Sequence, residues 1–170
     1  GIIIETNYKK YNTRLNVSMN ASSKLRFGLN FSAAISDKNN GQAEGKETPL
    51  HHALQIAPLV GLHNNTRDWG YVANLGASSN YPNPVERLKE TKVETKYTRL
   101  ATTLWGEYDI LKDLQFKSSF SYNYDGSRYE FFQPGNVTYN NGNVSLGNSN
   151  SSSTNDWVVQ NTLTYNKSFN

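Results

Sequence analysis

Five stretches of this 170-residue chain alternate, residue by residue, between an uncharged, largely apolar face and a more polar one that holds whatever charges the stretch has. In the first, Tyr11, Thr13, Leu15, Val17, Met19 and Ala21 interleave with Lys10, Asn12, Arg14, Asn16, Ser18 and Asn20. The second sets Leu25, Phe27, Leu29, Phe31, Ala33 and Ile35 against Arg26, Gly28, Asn30, Ser32 and Ala34. Thr98 to Ile110 and Leu114 to Tyr124 repeat the pattern, and Trp157 to Asn166 forms the fifth run. The apolar parity contains no charge in any of them, whereas the other carries Lys10, Arg14, Arg26, Arg99, Glu107, Asp109 and Lys117. Alternate residues lie on opposite faces of a strand, and helical spacing would mix the two sets. The pattern predicts an all-β chain with strands at about 8–21, 25–35, 96–110, 114–124 and 157–166.

Each run is roughly 9–12 residues long, beyond the usual soluble strand and close to the length that crosses a bilayer. The connections alternate in length as well. About three residues link the first strand to the second and the third to the fourth, while 36–95 and 125–156 are long loops. Tyr11, Tyr122, Tyr124 and Trp157 gather at the long-loop end of the apolar face, Tyr108 and Tyr165 at the other, as in interfacial girdles. These features predict an antiparallel meander of about five long strands, an open arc of a transmembrane β-barrel with short periplasmic turns and long extracellular loops. Five strands cannot close such a barrel, so the expectation includes a fragment of a longer chain; the absence of an initiator Met and the strand-like run before Asn170 are in keeping with it. The alternative is a soluble β-rich module, carbohydrate-binding or adhesive, in which the same apolar face packs against a second layer. The environment of Leu15, Phe27, Leu104 and Phe116 separates the two.

Composition removes other classes. No apolar run approaches the length of a membrane-spanning helix, and there is no Cys for a disulfide scaffold, a thiolate metal site or a cysteine nucleophile. The net charge of +3 is spread over strand positions without a basic cluster, which argues against nucleic-acid binding. His51, His52 and His63 lack the i, i+4 spacing and acidic companions of a zinc helix, so neither a metal nor another cofactor is expected. Glu107 and Asp109 share a face but have no catalytic partner, and they are expected to balance Arg99, Arg14 or Lys117 across the lumen. No nucleophile–base constellation appears, so the chain is not expected to be an enzyme.

Asn7 to Val17, Leu25 to Ser32, Trp105 to Phe120, Asn83-Pro84-Val85 and Asn161 to Phe169 together resemble the barrel of SusC/RagA-type TonB-dependent transporters. The resemblance covers nearly the whole chain, but it is a run of strand signatures rather than a site motif. It implies the outer membrane of a Gram-negative bacterium as the location and import of oligosaccharides or peptides as the function. The partners it implies are a SusD-like surface lipoprotein, the TonB complex and the lipid bilayer. Neither a plug nor a TonB box is found in these residues. Arg14, Arg26, Arg99, Trp105, Glu107, Asp109 and Lys117 would then face the lumen.

The first long loop has signals of its own. Thr48-Pro49 caps a short helix through Leu50, Ala53, Leu54 and Ala57, ended by Pro58, and Asn83-Pro84 opens another turn to Glu90. Between them, Asp68, Trp69, Tyr71 and Asn74 combine aromatic platforms with amide and carboxylate groups, a pairing suited to sugars, and are the candidate ligand contacts. The second loop dissolves into Asn, Gly and Ser, a turn-rich composition.

Overall fold

The computed structural model describes residues 3–40, 48–56, 62, 83–137 and 144–168. Its frame is one open five-stranded antiparallel sheet whose strands hydrogen-bond in chain order. The strands are β1 (Asn7–Asn20), β2 (Leu25–Asn39), β3 (Lys92–Leu111), β4 (Leu114–Gln133) and β5 (Leu146–Tyr165). Two seven-residue helices, α1 (Pro49–Gln55) and α2 (Pro84–Glu90), and a 3-10 turn at Gly135–Val137 complete it.

The short connections are local hydrogen-bonding devices. Ala21 and Ser22 donate their amides to the Leu25 carbonyl, and the Ser22 hydroxyl accepts from Lys24 and Leu25 at 3.2 and 3.1 Å. Both helices open on the residues that the sequence marks. The Thr48 hydroxyl accepts from the amide of His51 at 3.4 Å and the Asn83 carboxamide from that of Val85 at 3.0 Å, with proline next in each case.

Four strands run further than the apolar alternation predicts. β2 continues to Asn39 rather than 35, β3 begins at Lys92 rather than near 96, β4 continues to Gln133 rather than 124, and β5 starts at Leu146 rather than 157. The backbone ladder needs no apolar side chains, so it persists where the sequence turns charged or Asn/Ser-rich. At about 3.3 Å per residue, a strand of 20 residues is roughly 65 Å long, about twice the hydrocarbon thickness of a bilayer.

Two compact units make up the structure, 10–36 with 97–127 and 152–170, and 1–9 with 37–96 and 128–151. In the first unit, the one holding the apolar alternation, Leu15 is 49% exposed, Phe27 40%, Leu104 51% and Phe116 38%. No second layer covers them among the described residues, as a soluble sandwich would require.

The other unit holds what buried core there is, and it is mostly polar. Val93 and Val137 are its buried hydrophobic residues among those described, alongside buried Thr48, His52, Glu86, Arg87, Thr95 and Gln133. Arg87 is the hub. Its Nη1 donates to His52 Nδ1 at 3.4 Å and its Nη2 to Gln133 Oε1 at 3.5 Å, while Gln133 Nε2 donates to the Val137 carbonyl at 2.8 Å. Arginine cannot accept, so the Nδ1 of His52 is the unprotonated ring nitrogen. Asn136 adds 3.1 Å hydrogen bonds to Glu86 and Glu90. Burial pushes the Glu86 carboxyl up from its usual range, and the Asn136 hydrogen bond offsets part of that.

An exposed ionic ladder lies on β3 and β4 of this unit. Lys92 reaches Glu94 at 3.3 Å and Glu130 at 3.2 Å, Lys96 reaches Glu94 at 2.9 Å, and Arg128 pairs with Glu130. Hydrogen bonds from the lysines hold the Glu94 and Glu130 carboxyls below the ordinary range and raise the two ammonium groups above theirs. Lowered carboxyl values contribute stability that is present above about pH 4.5 and lost as pH falls through them; raised lysine values contribute below about 10.5 and lose it above. Hydrogen-exchange protection of 92–96 and 128–130, corrected for intrinsic rates, should therefore be flat near neutrality and fall below about pH 4.5 or on adding salt. Arg87→Ala should be the most disruptive change in this unit. It takes a donor from two buried neutral groups, His52 and Gln133, at about 1–3 kcal/mol each, and limited proteolysis should report faster cleavage around α1 and α2.

Candidate functional site

The candidate strand residues fall into two groups on the polar parity of the first unit. The group nearer the short turns is a closed ionic cluster. Arg26 Nη2 lies 3.4 Å from Glu107 and 3.9 Å from Asp109, and Lys117 Nζ is 2.9 Å from Glu107. Gln115 donates to Asp109 at 2.9 Å. Glu107 and Asp109 thus share Arg26, with Lys117 on the other side of Glu107, and neither pairs with Arg14 or Arg99 as the sequence suggested. Lys117 is the one expected partner that the structure supplies. Alternation gives the face but not the register, and register sets Arg26 on β2 and Lys117 on β4 beside Glu107 on β3.

Trp105 sits among these charges. Its indole lies over Gly28, where a Cβ would come within 2.6 Å of the ring and 2.7 Å of the Val17 carbonyl oxygen, and Lys117 Nζ stands 5.4 Å from the ring centre. Glycine at 28 makes the recess that lets an indole lie against the sheet, and the ammonium group over the ring adds a cation–π attraction.

The second group is open. Arg99 Nε donates to Asp125 at 2.5 Å across β3 and β4, and Arg99 has no other partner among the described residues. The pair borders a cleft of about 430 Å³ that is also lined by Lys10, Ser36, Tyr97 and Ser127. Arg99 and Arg14 together line a neighbouring hollow of about 340 Å³ floored by Ser32 and Ala34. Arg14 borders a third, of about 260 Å³, with Asn16, Asn30 and Thr103.

Lys10, Tyr97 and Asp125 are site residues that the sequence reading left out. Lys10 was visible on the charged parity, but its neighbours are visible only in register. Asp125 had been assigned to a loop because the alternation fades there. Asp68, Trp69, Tyr71 and Asn74 lie outside the described residues, as does His63. His52 is buried against Arg87, and the described residues contain no cluster of metal-ligating side chains.

No family model matches the chain. It is similar to TonB-dependent receptor P3 of Formosa agariphila, with 25% identity over 175 aligned positions that take in 99% of the chain. The chain spans 17% of the length of that relative.

Gly28→Ala should displace Trp105 and destabilise the sheet by about 1–3 kcal/mol. Adding Trp105→Ala should restore only part of that loss, because the Val17 carbonyl remains in the way. Thermal unfolding of the single and double variants, with tryptophan fluorescence for the ring's environment, is the measurement.

Proposed function

We propose that this chain forms five adjacent strands of the barrel wall of a TonB-dependent outer-membrane transporter of the SusC/RagA type. The observation that carries the reading is the uncharged face of an open single-layer sheet, with Leu15, Phe27, Leu104 and Phe116 exposed. Lipid solvates such a face, whereas water would not favour it. The similarity to a protein named as a TonB-dependent receptor supports the same reading. On this reading the apolar band of β1–β5 crosses the Gram-negative outer membrane. Tyr11 and Trp157, 71% and 69% exposed, belong to its outer girdle, and Tyr165 belongs to the inner one.

The polar parity then lines the lumen through Arg14, Arg26, Arg99, Trp105, Glu107, Asp109 and Lys117. The helices and strand extensions of the other unit form extracellular structure, with Asp68, Trp69, Tyr71 and Asn74 as contacts for cargo. The cargo is an oligosaccharide or peptide, handed over by a SusD-like lipoprotein and driven inward by the TonB complex. Transport, not catalysis, is the role. A soluble carbohydrate-binding or adhesin module would need a layer over the apolar face, and no described residue provides one.

Paired substitutions in the full-length protein test the assignment of faces. Leu104→Arg should cost about 2–4 kcal/mol of barrel stability in lipid, while Thr103→Arg on the polar parity should cost far less. Heat-modifiability on gels and outer-membrane fractionation report the outcome. Equal tolerance of arginine at both positions, or recovery of the native protein in the soluble fraction, would sink the proposal.

A further inference from the structure

On the polar parity of the first unit, the charges near the short turns neutralise one another, but Lys10 and Arg14 have no ion-pair partner among the described residues. Arg99 commits only its Nε to Asp125. Its two Nη groups, the most versatile anion donors of the guanidinium, are left for a ligand. Asp125 and Asp156, the latter on β5, are the carboxylates on this side, and Arg99 already answers the first. The excess is therefore positive and concentrated on β1 and β3.

The three cations border connected hollows whose floor of Ser32, Ala34 and Ala101 is too small to fill them. Lys10 and Arg14 stand four positions apart along β1, a span of about 13 Å, enough to address successive charged groups of a chain-like ligand. We propose that Lys10, Arg14 and Arg99 form an anion-binding subsite that takes the carboxylate or sulfate groups of an acidic oligosaccharide. The inference rests on the transport reading and narrows its cargo.

The lining favours a sugar over an acidic peptide. Extended peptides gain affinity by pairing their backbone with a free strand edge. β2, β3 and β4 are interior strands whose edges are both paired, so the floor of the site has no edge to give, and β1, which carries Lys10 and Arg14, would lose its free edge when the barrel closes. It offers instead the hydroxyls of Ser36, Ser127 and Ser152 with the ring of Tyr97, which suit a ring that carries hydroxyl groups.

The test uses the full-length transporter purified in detergent, with binding measured by calorimetry at 50 and 300 mM salt. The probes are hexagalacturonate, a sulfated hexasaccharide, neutral maltohexaose and hexaglutamate. At least one acidic saccharide should bind about ten-fold or more tightly than maltohexaose, and more weakly at the higher salt. Lys10→Gln with Arg14→Gln should reduce that affinity at least about ten-fold, Arg14→Lys should retain most of it, and Lys112→Gln in the β3–β4 turn should leave it unchanged. Equal binding of the neutral probe, no binding of either acidic saccharide, unaltered affinity in the double variant, or strongest binding of hexaglutamate would each overturn the subsite. Membrane fractionation and heat-modifiability of the same preparation separate the two levels. A barrel that is inserted but shows no anionic preference refutes the subsite alone, and a soluble protein refutes the transport reading beneath it.

Discussion

A slip of one residue between β3 and β4 would carry Glu107 and Lys117 to opposite faces of the sheet, because side chains alternate with a period of two. It would also break the hydrogen bond between Thr103 and Ser121 and the pair between Arg99 and Asp125. These contacts step down one strand as they step up the next, in a single register without a bulge among them. The β2–β3 pair keeps its own register from Asp109 opposite Lys24, through Glu107 beside Arg26, to Trp105 over Gly28. With no second layer over it among the described residues, such a sheet depends on its short turns and cross-strand pairs for alignment. The lower ionic cluster and the Trp105 recess are thus registration devices, and the open upper cations are what registration leaves over.

The strands themselves were legible because one face is free of charge. The hairpin turns and both helix starts were legible for the same kind of reason, since Ser22, Thr48 and Asn83 satisfy backbone amides from within a few residues. What lay beyond the sequence is non-local. Periodicity cannot say that Glu107 meets Arg26 instead of Arg14, because the offset between strands is absent from either strand alone. Nor does it see β3 extended to Lys92 or β4 to Gln133. There both parities carry polar residues, and the evidence for a strand is its neighbour's hydrogen bonds. Even the parity of Lys92, Glu94 and Lys96 matches that of Leu100 and Leu104, so the charged ladder continues the apolar side of β3.

That continuation has a physical reading. A lone ion pair in water adds little, but interleaved charges of both signs keep an extended, solvated strand from offering its side chains to a hydrophobic partner. On the transport proposal, one side of β3 changes from apolar to ionic where lipid gives way to water. The polar clasp around Arg87 would then hold α1 and α2 onto the strand ends by directional hydrogen bonds, where few apolar side chains are buried among the described residues.

The edges of the sheet press the argument further. β1 and β5 each have a neighbour on one side only, and their side chains are exposed along their whole length. In water such long edges invite uncontrolled pairing; in a bilayer, unpaired N–H and C=O groups cost several kcal/mol each. Neither solvent suits the five strands by themselves, and the uncharged face suits only the second. The arrangement that satisfies both constraints adds further strands to β1 and β5 until the edges meet, which takes at least about eight in known barrels. A relative of which this chain spans 17% has ample length for them. On the transport proposal the polar face gains its role by the same step: once the edges meet around it, Lys10, Arg14 and Arg99 would be neighbours on the wall of an enclosed, water-filled path, where fixed cations act with less competition from bulk solvent.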